Sequence, residues 1–297
     1  MVDLVEEKGI DVINAHRGEG HLVAALSKNF SKRRVPLVRT RGDVRPPRPN
    51  IFNRFLNSKL TDKIITTCGT LRASYIKDLS IPDEKVINVP VGTDHDFFSP
   101  ESNRTKWREK LTIPDRNLVV GMVGRLSPVK GHKYFIQSAK YVLKRVPRTT
   151  FIVCGEDAQL TADQLKERTR TLGIQESFRL VGRIKDIRDI ISLFDVGVVA
   201  SVGSETICRV ALEYMSMGKP VVGTYVNSIP EVVEDGINGL VVDPGSAQEL
   251  ADALIELLQN HRKRKKFGEK SRSIVLQKFT LDKFAQRTQE VYFSLLN

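Results

Sequence analysis

Between residues 10 and 242 the chain alternates short apolar runs with longer amphipathic stretches, in two successive series. The first series holds IDVINA (10–15), PLVRT (36–40), KIITT (63–67) and KVINVPV (85–91). The second holds LVVGMVG (118–124), TTFIVCG (149–155), FRLVG (178–182), DVGVVAS (195–201), KPVVGT (219–224) and GLVV (239–242). Runs this short and this apolar fit strands covered on both faces. Strand–helix alternation sustained this long predicts parallel sheets in two doubly wound α/β domains. The second series can close a sheet of about six strands, the usual doubly wound size. The first offers only about four and opens directly on an apolar strand, so the first domain is expected to lack its N-terminal part.

Helices are predicted near residues 19–30, 50–60 and 69–79, and between the strands of the second series. Phe135, Ala139 and Val142 form one apolar stripe, and Leu250, Leu254, Leu257 and Leu258 another. Thr161 with Gln164, Ser228 with Glu231, and Ser246 with Glu249 all have capping-box spacing. Residues 92–117 contain Pro100 and Pro114 and read as a linker with one short helix. The expected division is 1–100, 101–280, and a C-terminal helical segment, 281–297, packing back toward the first domain.

Composition narrows the function classes. No apolar run approaches the roughly 20 residues that span a bilayer, and the start MVDLVEEKGIDV lacks the basic head and apolar core of a signal peptide. The expectation is a cytoplasmic protein with Cys68, Cys154 and Cys208 reduced. The net charge of +12 gathers in residues 27–34, 38–49 and 261–266. Such runs are usually solvated faces, but they also suit anionic substrates, nucleic acid or an anionic membrane surface.

The stretch GSETICRVALEYMSMGKPVV (203–222) holds two glutamates, Glu205 ahead of a helix expected to start near Ile207 and Glu213 inside it. Eight residues of helix span up to about 12 Å, roughly the distance between the hydroxyl-rich ends of a nucleotide-sugar. Ligands bind at the carboxyl ends of parallel strands, and a helix N-terminus there suits phosphate. One carboxylate could take sugar hydroxyls and the other ribose hydroxyls, yet two glutamates so spaced also arise by chance on surface helices. The strand LVVGMVG adds weight, because it ends in GRLSPVKG (124–131), where Arg125 and Lys130 stand beside Gly124 and Gly131. Two cations at one sheet edge can hold a diphosphate without a metal ion.

VGRLSPVKG, LVGRI (180–184), SETICRVALEYMSMGKPVV and IPEVVEDGINGLVV (229–242), in this order, resemble the retaining glycosyltransferases of family 4, with the GT-B fold. The resemblance covers 118–297 closely and runs more weakly back to INAHRGEG (13–20). It implies two Rossmann-like domains facing a cleft. It assigns Arg125 and Lys130 to the donor diphosphate, Glu205 to the donor sugar, the Arg209 and Val210 amides to phosphate, and Glu213 to ribose. Main chain around Arg183 would meet the base, and His16 would contact the donor sugar across the cleft. Where the family usually carries glycines after the first glutamate, this chain has Thr206, Ile207, Cys208 and Arg209, all expected along the donor. Asn227 and Ser228 replace a Gly-Gly pair, and the glycine-rich first loop of the N-terminal domain has no counterpart.

The implied activity is sugar transfer from a nucleotide-diphosphate-sugar to an acceptor hydroxyl with retention of configuration. The implied setting is cell-envelope polysaccharide, lipopolysaccharide or glycolipid synthesis. A glycan or lipid-linked acceptor and an anionic membrane surface under the basic first-domain segments are the expected partners. No cofactor or metal is expected; DHD (94–96) imitates a metal-binding D-x-D but lies in the linker. HRKRKK (261–266) has no aromatic platform for nucleic acid and reads as a solvated helix end. The alternative is a non-catalytic or partner-dependent nucleotide-sugar-binding module.

Overall fold

The computed structural model describes residues 1–297 except 43, 44, 46, 101–104, 204, 206 and 297, and the side chain of Thr105. Its contacts divide the chain into two units, Met1–Gly92 with Leu281–Asn297, and Thr93–Thr280.

The first unit runs α1 (Val2–Glu7), β1 (Ile13–Ala15), α2 (Gly18–Phe30), β2 (Leu37–Arg41), α3 (Ile51–Lys59), β3 (Lys63–Thr66), α4 (Gly69–Asp78) and β4 (Val86–Asn88). The four strands are parallel and stand in chain order. Three lie inside the runs expected to be strands, and β2 runs one residue past its own, through Arg41. The chain does not open on a strand, however: VDLVEE forms α1, whose Val5 is buried with Ala24, Ala25 and Leu37. Leu37 and Val38 point to opposite faces, as strand pleating requires. Leu37 packs under α2, while Val38 and Ile65 pack against Val291 of the C-terminal segment.

The second unit runs α5 (Thr105–Lys110), β5 (Leu118–Val123), α6 (His132–Arg145), β6 (Thr149–Cys154), α7 (Ala162–Thr171), β7 (Phe178–Val181), α8 (Arg188–Leu193) and β8 (Val196–Val199). It continues through α9 (Arg209–Ser216), β9 (Val221–Thr224), α10 (Ile229–Val232), β10 (Gly239–Val242), α11 (Ala247–Gln259) and α12 (His261–Lys278). Helix α13 (Leu281–Phe293) returns to the first unit, where Asn14 Nδ2 donates to Tyr292 Oη at 2.6 Å.

The six parallel strands have the order β10-β9-β8-β5-β6-β7. The chain leaves β5 in one direction and returns for β8 on its other side, so the crevice between the ends of β5 and β8 is a topological switch point. One face is covered by α6 and α11, through Phe135, Ala139, Val142, Leu250, Leu254 and Leu257. The other is covered by α8, α9 and α12, through Ile190, Leu212, Met215 and Ile274. Burying each such side chain is worth about 1.5–3 kcal/mol, which is why both predicted stripes lie fully inward.

Two sequence expectations change. The units part at Gly92 and Thr93 rather than near residue 100, because Thr93 N donates to Phe279 O and Ser216 Oγ to Phe98 O, each at 2.8 Å. Of the three capping boxes, only that of Thr161 and Gln164 is reciprocal. Ser228 is helical and its hydroxyl donates to Glu205 O at 2.9 Å, while Glu249 turns back to Asp243 N instead of to Ser246. The basic run 261–266 is a helix end, as expected, at the start of α12, and Arg264 there donates to the last carbonyls of α11, Leu257 O and Leu258 O. A cation is favoured at that negative helix end.

Candidate functional site

Strand β5 ends at Val123, and the backbone turns through Gly124 and Arg125 to a short 3-10 turn, Pro128–Lys130, before α6. Gly131 makes this turn possible. Its φ is +77°, and a Cβ there would lie 1.8 Å from Ala200 O. Only glycine lets the turn close down onto the end of β8, and that closure sets Lys130 over the switch point. His132 fixes the other side of the loop: it is fully buried, and its Nε2 donates to Arg125 O at 3.1 Å. Burial, more than any neighbour, holds its pKa below the usual histidine value, so the ring stays neutral.

Strand β8 delivers the second half of the site. Ser201 Oγ donates to Glu205 Oε1 at 2.7 Å, and Lys130 Nζ pairs with the same oxygen. Glu205 is 6% exposed. Its carbonyl accepts from Ser228 N at 3.0 Å and from Ser228 Oγ. Its amide donates to Asn227 Oδ1 at 3.4 Å. The residue is thus held from its main chain and from its side chain.

Helix α9 begins at Arg209, two residues later than Ile207. Its N-cap, Cys208, is buried in the left-handed region at φ +46° and makes no side-chain cap bond. Asn227 is left-handed too, at φ +44°. These are positions at which the family resemblance leads one to expect glycine. Asparagine tolerates that conformation better than most residues, and a non-glycine there costs about 1–2 kcal/mol. The loop therefore keeps a glycine-like backbone without glycine.

These elements enclose a cavity of about 500 Å³ lined by Gly124, Arg125, Lys130, Glu205, Ile207, Cys208, Arg209, Val210 and Glu213, together with Val123. That volume falls within the usual range for small-molecule sites. Three cations, Arg125, Lys130 and Arg209, two carboxylates and the first turn of α9, which has no side-chain cap, line the same space. Burial pushes the Glu213 carboxyl up to about 7, against the pull of Arg209. Burial likewise pushes the Cys208 thiol up, so it is a protonated wall of the site rather than a nucleophile.

Three expected site residues are not among the described residues that line this cavity. Arg183 does not line this cavity; it lies beyond the end of β7 and pairs with Glu156 at 2.8 Å. His16 belongs to the first unit, exposed, one residue past β1. Thr206 lies outside the described residues. Sequence reasoning missed Ser201, Asn227, Ser228 and His132 as supports of the site. Ser201 was the last residue of a predicted strand and His132 the first after the glycine turn, but their roles need partners from distant segments. Asp94 of DHD accepts from Phe97 N at 2.9 Å and so closes a turn. No helix among the described residues is long and apolar enough to cross a membrane.

The sequence profile of the family described as "Glycosyl transferases group 1" matches residues 103–274. The chain is 32% identical over 196 residues to a D-inositol 3-phosphate glycosyltransferase of Corynebacterium aurimucosum, covering 63% of this chain and 46% of that protein. It spans about half the length of the first curated relatives it matches. Among solved structures, a glycosyltransferase from Rickettsia africae ESF-5 superposes with a TM-score of 0.91 at 21% identity, covering 100% of this chain and 79% of that one. Anabaena Alr3699/HepE in complex with UDP superposes with a TM-score of 0.88 at 25% identity, covering 99% of this chain and 80% of that one. The fold, with its two parallel Rossmann-like sheets, is that of these GT-B proteins.

Proposed function

From the premise that the chain belongs to the glycosyl transferases group 1 family, we propose that it moves a sugar from a nucleotide-diphosphate-sugar to an acceptor hydroxyl, retaining the anomeric configuration. One observation carries this reading: Arg125, Lys130, Glu205, Glu213 and the first turn of α9 line one cavity at the switch point of the second sheet. The UDP held by the Anabaena relative supports a nucleoside diphosphate as the leaving group.

The chemistry follows from charge. Breaking the bond between the anomeric carbon and the diphosphate oxygen leaves negative charge on the phosphates. Arg125, Lys130 and the Arg209 and Val210 amides meet that charge without a metal ion, and groups fixed before the reaction stabilise it most. Glu205 accepts hydrogen bonds from the donor sugar, and Glu213 from the ribose. Charged acceptors make the stronger bonds. In retention on one face, the acceptor oxygen bonds to the anomeric carbon on the side the diphosphate leaves. The acceptor proton passes to the departing phosphate oxygen. Lys130 is paired with Glu205. The diphosphate recruits the lysine and frees the carboxylate for sugar hydroxyls, which links the two binding events.

The anionic bilayer expected under residues 27–34 and 38–49 remains part of this proposal, as does a glycan or lipid-linked acceptor in cell-envelope synthesis. The deciding experiment measures UDP affinity and transfer from UDP-sugars in Arg125→Ala and Lys130→Ala. Both should bind UDP at least about tenfold more weakly, the worth of one charge-assisted contact, and turn over far more slowly. Wild-type values in both variants would refute the assignment. Tight UDP binding by the wild type with no turnover on any acceptor would favour a non-catalytic nucleotide-sugar-binding module.

A further inference from the structure

The first unit holds a second concentration of charge, beside His16 and distinct from the cations of the cavity at the second sheet. Two adjoining cavities, of about 540 and 660 Å³, share Gly18, Glu19, Arg39, Arg41 and Arg45 as lining residues. Arg48 lines one and Arg17 the other, so five arginines surround the combined space. Glu19 is the only carboxylate among its described lining residues.

A solvated basic face does not account for this arrangement. Leu37, Arg39 and Arg41 alternate onto one side of β2. Leu37 is core, and Arg39 beside it is 3% exposed, donating to Ala15 O at 2.9 Å. Arg41 donates to Arg45 O at 2.6 Å, while its Nε is buried without a hydrogen-bond partner among the described residues. A guanidinium cannot neutralise itself by losing a proton, so the positive potential persists at every working pH. His21 registers that potential: burial first, then Arg39 and Arg41, lower its pKa to about 4.

A second feature points the same way. The thirteen-residue helix α2 starts at this space with no side-chain cap. A Cβ added at Gly18 or Gly20 would meet nothing within 4 Å. Neither glycine has a positive φ. Packing and backbone conformation give no reason for glycine there, but an unobstructed first turn lets an anion reach the amides. Five guanidiniums and a helix N-terminus exceed the needs of a carboxylate, which uses one bidentate fork. A phosphate monoester, with up to two charges and three acceptor oxygens, matches them.

We propose that this arginine-lined cavity of the first unit binds a phosphate monoester carried by the sugar acceptor. That the anion belongs to the acceptor rests on the transferase reading; the anion site itself does not. The phosphate can sit on a soluble molecule or on a lipid headgroup, and the test separates these sources.

The full chain is saturated with UDP to block the donor cavity and titrated calorimetrically with inorganic phosphate. In parallel it is sedimented with phosphatidylcholine vesicles containing either phosphatidic acid, a phosphate monoester, or phosphatidylglycerol, a diester. The variants are Arg45→Gln/Arg48→Gln, both on exposed side chains, and Glu19→Gln. Phosphate binding should weaken about tenfold or more in the double variant, the loss expected for charge-assisted contacts, and tighten several-fold in Glu19→Gln. Binding of free phosphate with this variant pattern assigns a soluble acceptor. Preference for phosphatidic acid over phosphatidylglycerol, lost in the double variant, assigns a lipid-borne one. Phosphate affinity unchanged in all variants, or no binding of either phosphate or phosphatidic acid vesicles, overturns the proposal. The UDP affinity measured beforehand reports on the donor site alone, so a failure there is read separately.

Discussion

Glutamine at position 213 should make the protein more stable in alkaline solution and leave it unchanged in acid. In the folded chain the Glu213 carboxyl titrates at about 7, raised by burial from 4.5, its ordinary value. Below pH 4.5 both the folded and unfolded states hold the proton, and the full stability is present. Between 4.5 and about 7 the unfolded state releases it while the folded state keeps it, so stability falls as pH rises. Above about 7 the buried carboxylate is charged and the loss is complete. The shift corresponds to about 3 kcal/mol, an upper value because Glu213 is only half-buried. For a domain of this size that is up to about 6–12 °C in Tm. Melting curves of wild type and Glu213→Gln across pH 4.5–9 should therefore coincide at the acid end and diverge through neutrality, the variant higher. UDP affinity should move oppositely: at high pH the wild-type carboxylate binds ribose hydroxyls better than the amide, and this advantage should vanish below pH 6. Comparing variants cancels the titration of UDP itself. A Tm difference independent of pH, or a variant less stable at pH 8.5, would refute the burial argument.

Other outcomes follow from the same geometry. Lys130→Ala leaves the Glu205 carboxylate buried with Ser201 as its side-chain partner, and should cost about 1–3 kcal/mol. Adding Glu205→Gln should restore most of that loss in a double-mutant cycle. Gly131→Ala forces a Cβ against Ala200 O and should cost at least about 2 kcal/mol, seen as a lowered Tm with UDP affinity reduced as Lys130 shifts. Sugar transfer should be unaffected by EDTA, since cationic side chains and amides hold the diphosphate; loss of activity restored by a divalent cation would contradict this. Binding to vesicles through residues 27–34 and 38–49 should weaken steeply with salt, and salt-independent sedimentation would exclude an electrostatic membrane contact.

Strand positions were legible because apolar periodicity is local. Every strand of both sheets matches an apolar run to within one residue, and the stripes of α6 and α11 turn inward as their spacing requires. The short helix α1 was not legible: six residues are too few for periodicity to register, and Val5 is buried in a cluster supplied by later segments, Ala24, Ala25 and Leu37 among them. In the candidate site, the sequence nominated Arg125, Lys130, Glu205 and Glu213 from loop position and motif. It could not reveal that Lys130 and Glu205 pair with each other, or that Ser201 and Ser228 hold the carboxylate from two further segments. The capping spacing at Ser228 was misleading because its hydroxyl had a better-placed acceptor in Glu205 O.

What the linear chain settles by itself is the succession of strands and helices and the residue types at each strand end, since both follow from near-neighbour periodicity and backbone preference. Tertiary structure decides which strand ends become neighbours. The strand order brings β5 and β8 together and gathers charges more than 70 residues apart. It also makes Arg39 a buried cation instead of a surface one. Charge in a sequence carries no dielectric; burial supplies it, and with it the shift that raises the Glu213 carboxyl and the cost of holding Arg39 inside.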